Sequence, residues 1–284
     1  TKDLPAELIL GYHLIFYPDW LDFYRDDRAA LKQKFGSLEA VASFYGGLGP
    51  DTLLEQYRAD LRRAVNLGAR YVVFHVSDVS LEEGYTYRWL HTNQEVIDAA
   101  VEVVNLILGE ERWPFEFLVE NQWWPGFTFT EPEETARLLE GIRFAGKGIL
   151  LDTGHLMNAC TELKTEAEGA DYIRSMLNRH GSLAKWVRGV HLHQSLSGAY
   201  VKAHTGSLPA GLPEDYMERF GVSYQHILQI DQHRPWTDPA ILPVLEQIEP
   251  RYLTHELSSR GRMARAEAVS IQTRLLRQGG RMRV

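Results

Sequence analysis

Short runs of β-branched and aromatic residues alternate with longer stretches of helical spacing along nearly the whole chain. The runs that read as strands are residues 8–17, 38–45, 70–76, 115–120, 148–152, 187–193 and 251–256. Between most of them lie helical patterns. In 52–67, Leu53, Leu54, Tyr57, Leu61, Ala64 and Val65 share one face, and Gly68 follows as a stop. Residues 93–108 and 131–142 read the same way, the latter with Pro132 in its first turn. VVFHV, FLVE and GILLD are almost unbroken apolar runs, as expected of strands buried on both faces.

This alternation predicts a parallel sheet and an α/β fold, the (β/α)8 TIM barrel, as one domain over 1–284. Seven strands are countable. The eighth is either the weak run 226–230 or a first strand before Thr1, leaving the barrel with a missing or irregular first strand. The second option is preferred, because the chain opens on what reads as the end of a helix. Residues 195–224 are rich in Gly, Ser and Pro and weakly periodic, which predicts a long functional loop.

Composition narrows the class further. Hydrophobic residues make up 44% and charged residues 24%, enough apolar material for one large core. The net charge of -8 argues against nonspecific attraction to nucleic acid or an acidic membrane, though a local basic groove is compatible with it. Cys160 is the single cysteine, so no internal disulfide can form, which fits a reducing, cytoplasmic setting. No apolar run reaches the ~18 residues of a membrane span. The opening TKDLPAEL lacks the pattern of a signal peptide, and the missing initiator Met is what a processed or trimmed chain would show.

Candidate chemistry lies at the strand ends. VVFH ends at His75, FLVE at Glu120, ILLD at Asp152, GVHLH at His191 and His193, and YLTHE at Glu256. In a (β/α) barrel these C-terminal ends converge on one face, where active sites sit. A single histidine there is more often a hydrogen-bonded core residue, and a single carboxylate more often a helix cap, as Asp152 could be. Five strands doing the same is harder to dismiss. Three buried carboxylates near one point repel unless a cation neutralises them. Asp152-Thr-Gly-His155 and Asp231-Gln-His233 add ligand types at short spacing. One tightly bound divalent ion is expected. A mostly oxygen donor set with one imidazole suits Mn, Mg or Co and admits Zn.

The series FH, VEN, LLDTGH, GVHLH, D-Q-H and THE resembles the xylose isomerase-like superfamily, which includes sugar isomerases, epimerases and endonuclease IV. The resemblance runs from about Leu8 to the last helix, with LLDTGH and GVHLH its most specific motifs. It implies a metal held by Glu120, Asp152, His191 and Glu256. By analogy with the epimerase branch, Glu120 and Glu256 would also act as acid and base, and His155 would contact substrate. By analogy with endonuclease IV, His155, Asp231 and His233 would hold a further zinc, and His75 would be one histidine of another. That other site needs a second histidine near the end of the run 38–45, where EAVASFYGG offers none. His193 joins the residues that could serve a second metal or the substrate.

The reading that follows is a metal-dependent isomerase or epimerase acting on a small sugar, polyol or keto acid. The metal would polarise the carbonyl while two glutamates move the proton. The rivals are an endonuclease IV-like phosphodiesterase on damaged DNA, a dehydratase, and a barrel that binds metal and ligand without turnover. Trp123 and Trp124, just beyond Glu120, could wall a substrate site or simply pack against loops. Arg260 and Arg262 could hold an acidic group or be solvated charges, and Lys202 and His204 are weaker candidates. No membrane partner is expected, and both a monomer and a homo-oligomer are compatible with the pattern.

Overall fold

A computed structural model describes residues 8–279. Six parallel strands form one curled sheet in sequence order: β1 (Gly11–His13), β2 (Tyr71–His75), β3 (Glu116–Glu120), β4 (Lys147–Asp152), β5 (Val187–Leu192) and β6 (Tyr252–His255). Helices cross between the strands, giving an α/β fold of the (β/α)-barrel type. Among the described residues β1 and β6 do not pair. Inside the curl, Tyr71, Val73, Leu118, Leu150 and Tyr252 pack together, with the Tyr71 and Tyr252 rings stacked at 4.3 Å. The opposite faces of the strands bury Val72, Phe74, Phe117, Val119, Ile149 and Leu151 against the helices. Burial on both faces is what their unbroken apolar runs require.

Three sequence expectations need correction. Residues 38–45 form a helix, not a strand: the Ser37 side chain accepts from Ala40 N, and Val41 and Tyr45 are buried one turn apart. Gly46, left-handed at φ 78°, follows it. β1 therefore pairs directly with β2, with Gly11 opposite Tyr71 and His13 opposite Val73. Residues 226–230 are the end of the helix Tyr216–Ile230, so they do not supply a further strand. The expected long loop 195–224 contains the helix Gly198–His204 and the start of Tyr216–Ile230. A strand before Thr1 lies outside the described residues. No helix among the described residues is long and apolar enough to cross a membrane.

Two loops above the sheet are stapled together. After β1, Trp20 N and Leu21 N donate to Asp78 Oδ1 at 2.7 and 2.8 Å, and Trp20 Nε1 donates to Ser77 O at 2.7 Å. Val79 N donates to Pro18 O at 2.7 Å. This pairing of the loops after β1 and β2 sets Phe16 edge-on to His75, 4.3 Å between ring centres.

Candidate metal centre

Parallel strands bring their C-terminal residues to one side of the sheet. His75 is opposite Glu120, and Asp152 is opposite His191. Glu120 and Asp152 are wholly buried, and His191 nearly so. His191 Nδ1 lies 3.0 Å from Glu120 Oε1, 2.5 Å from Glu256 Oε2 and 3.9 Å from Asp152 Oδ2. Glu120, Asp152, His191 and Glu256 thus offer ligand atoms within 4.8 Å of one another and could hold a metal ion.

Two further groups adjoin this one. Glu120 Oε2 turns away from His191, to 2.9 Å from His75 Nε2 and 3.4 Å from His13 Nε2. The two imidazole nitrogens are 3.0 Å apart. On the other side, Asp231 Oδ2 lies 3.4 Å from His155 Nε2 and 3.3 Å from His233 Nε2, and His193 completes that group. His193 Nε2 also reaches Asp152 Oδ2 at 2.9 Å, joining the third group to the first.

Local structure fixes these side chains. Asp152 does cap the short helix Thr153–Asn158, accepting from His155 N at 2.6 Å through Oδ1, and this leaves Oδ2 for the centre. Asn121 clamps the ends of β3 and β4: its Oδ1 accepts from Asp152 N and its Nδ2 donates to Asp152 O. A Cβ on Gly154 would fall within the His193 ring, so only glycine fits there. Gln194 and Arg234 exchange backbone hydrogen bonds of 2.8 and 3.1 Å, tying the segment after Ile230 to the end of β5. In that segment His233 sits at φ 47°, a left-handed conformation uncommon for a residue other than glycine.

The donor set fits divalent cations. Glu120 Oε2, Glu256 Oε2, Asp231 Oδ1, His75 Nδ1 and His193 Nδ1 are buried without a hydrogen-bond partner, although charged neighbours stand close by. Orphaned buried donors and acceptors of this kind need a further partner. Burial pushes the Glu120 carboxyl up, but the charges of His191 and His75 outweigh it and hold it well below the usual carboxylate range. Glu256 is likewise lowered, by His191 acting against burial. Burial opposes the charged forms of His191 and His155. Glu120 and Glu256 raise the first well above its ordinary value, and Asp152 and Asp231 raise the second. The acidic groups are therefore balanced by imidazolium protons, a role that bound cations fill equally well.

Of the residues singled out in the sequence, Glu120, Asp152, His191 and Glu256 come together, as do His155, His193, Asp231 and His233. His75 joins Glu120. The expectation that the His75 group lacks a second histidine is overturned. His13 fills the place, because β1, rather than 38–45, is the strand beside β2. The signal was present in the sequence: GYH ends its strand on a histidine just as VVFH does. A cavity of about 420 Å³ opens over the centre, with His75, His155, Asp231, His233 and Glu256 at its floor and Trp123, Trp124 and Phe16 in its wall. Arg260 and Arg262 are exposed and do not line it. Lys202 pairs with Glu162 at 2.7 Å, and His204 contacts Tyr200 O; neither faces the cavity.

The family model described as a xylose isomerase-like TIM barrel matches residues 6–251. No curated protein matches the chain in sequence. Among solved structures, a D-tagatose 3-epimerase-like protein is 16% identical, with a TM-score of 0.52 over 97% of this chain and 82% of its own. Mannonate dehydratase from Streptococcus suis serotype 2 is 13% identical, with a TM-score of 0.49 over 96% and 93%. Endonuclease IV from Thermus thermophilus is 17% identical, with a TM-score of 0.44 over 95% and 99%. At 16% identity the likeness to the epimerase-like protein concerns the fold alone.

Proposed function

The chain belongs to the xylose isomerase-like TIM-barrel family, whose members are mostly enzymes, and from that premise we propose that it is a multi-metal hydrolase cleaving phosphoesters of small molecules. The observation that carries this reading is the placement of Glu120. It lines no part of the cavity above the centre, and its two oxygens face different histidine groups. A carboxylate so placed could serve two metal-binding groups at once.

Divalent ions of the Zn, Mn or Co kind, held by the three donor groups, would supply Lewis acidity to phosphoryl oxygens and a water nucleophile at neutral pH. The chain's own part is positional. Asp152 and Glu256 both stand beside His191 Nδ1 in the central group. Asp231 orients His155 and His233 toward the cavity floor. The aromatic wall limits bulk water around the reacting centre. In the overall reaction a water oxygen bonds to phosphorus as the ester bond breaks. One proton of that water passes to solvent, and the departing oxygen recovers one.

The isomerase reading asks Glu120 and Glu256 to trade protons with a substrate carbon. Of the two, Glu256 lines the cavity and Glu120 does not. Duplex DNA is a poor candidate substrate, because no Lys or Arg is among the described residues lining this small cavity.

The test is hydrolysis of bis(4-nitrophenyl) phosphate by metal-loaded protein, beside solvent deuterium exchange into D-fructose and D-tagatose. Release of 4-nitrophenol that is lost in His13→Ala and His155→Ala supports the proposal. Carbon-bound exchange without ester cleavage would replace it with the isomerase reading.

A further inference from the structure

The cavity over the centre is sharply divided in character. Its floor is imidazole and carboxylate. Its wall is mostly carbon: Trp123 and Trp124 lie together at 4.2 Å between ring centres, and Phe16, Val79, Leu81 and Ile227 continue the surface. Several polar groups of the wall are engaged elsewhere, while Ser223 Oγ and the indole nitrogens of Trp123 and Trp124 are buried without a hydrogen-bond partner. Ser80 accepts from Glu83 N as a helix cap, and the Gln122 amide contacts His155. His226 stacks on Tyr85 at 4.3 Å, with its ring nitrogens against Tyr200 Oη and Gly84 O. It therefore presents a ring to the cavity rather than a free donor.

This wall suits neither substrate class suggested by the resemblance in sequence. A sugar carries an oxygen on nearly every carbon, and those that do not reach the floor would face mostly hydrocarbon and indole, at a cost for each one left without a partner. A nucleic-acid backbone would bring phosphates that meet no cation in the wall. A volume of about 420 Å³ matches a compact organic group. At this spacing the two indoles touch each other and present one joint aromatic surface, against which a planar ring can pack.

We infer that the substrate is an aryl-bearing anion: an aromatic ring packed against Trp123, Trp124 and Ile227, with its anionic oxygens toward the floor, where the donor groups would hold metal. For the hydrolase proposed above, on which this rests, the substrate class becomes aryl phosphoesters. The wall selects the ring and the centre takes the phosphoryl group.

Calorimetric titration of the zinc-loaded protein with phenylphosphonate and with methylphosphonate tests this without turnover. The two ligands share a head group and differ in the ring. Phenylphosphonate should bind tighter by about tenfold or more, the size expected when one ring is buried against apolar walls. Ile227→Trp, which fills the cavity, should lower phenylphosphonate affinity by a similar factor. Tyr224→Ala, at the exposed edge of the same wall, should lower it less, and it guards against misfolding of the first variant. Equal affinities for the two phosphonates, or binding of neither at millimolar concentration, overturn the inference. A clear preference for the ring stands even if bis(4-nitrophenyl) phosphate is not hydrolysed. In that outcome the hydrolase reading fails and the aryl specificity survives it.

Discussion

At the scale of single residues, Glu120 is the pivot, since its two oxygens serve two donor groups. Glu120→Gln should therefore lower zinc content by more than one equivalent, while His13→Ala should cost about one; elemental analysis of dialysed protein checks both. Metal binding should also depend on pH in a set direction. His191 and His155 have raised pKa values in the metal-free protein, so they hold protons near neutrality. Those protons must leave when metal binds, so affinity should rise with pH until both groups are neutral. Titrations in buffers of different ionisation enthalpy should show proton release. Most of these ligands were legible in the sequence, because strand-end residues of metal-binding type are rare enough to notice together. His13 was missed for a physical reason: its strand is only three residues long, and the run 38–45 has enough β-branched and aromatic character to pass for the neighbour of β2.

At the scale of elements, the loops after β1 and β2 depend on a buried carboxylate. Burial, and then the charge of Asp19, raise Asp78 to about 7. Its ordinary value is 3.8, so the folded state binds its proton more tightly than the unfolded chain does. The stability this provides is full below the unfolded value and is lost as pH rises through about 7. Asp78→Asn, whose amide oxygen can still accept from Trp20 N and Leu21 N, should escape that loss. Between pH ~4 and ~7 its stability relative to wild type should improve by up to about 1.4 kcal/mol per pH unit. Chemical unfolding at several pH values measures this. Asp22, lowered to about 2, titrates below that window, whereas Asp19 is itself raised by burial, so comparison with Asp78→Asn isolates the part that belongs to Asp78. A second element-scale prediction concerns the turn after β4. Gly154→Ala should drive a methyl into the His193 ring, weaken the group that includes Asp231 and His233, and lower the melting temperature. The glycine was visible in LLDTGH, but the ring it accommodates comes from another strand and has no local signature.

At the scale of the whole molecule, the alternation of apolar strands and amphipathic helices was enough to indicate the barrel architecture. Strand number and pairing were less accessible. Helix and strand periods are hard to separate in eight residues such as 38–45, and tertiary packing decides between them. Of the cavity's wall the sequence pointed to Trp123 and Trp124 alone, because the rest joins residues from the loops after β1 and β2 to the helix Tyr216–Ile230. That helix falls largely where the sequence suggested a loop. The resulting molecule places three adjoining donor groups beneath an aromatic wall, in a chain of net charge -8. The most direct test of this account is the stoichiometry of zinc on protein prepared without chelators and titrated to saturation, read by native mass spectrometry. The account predicts saturation above one ion per chain, up to the three groups present, with one fewer ion in His13→Ala. Saturation at a single ion that is indifferent to His13 would contradict it.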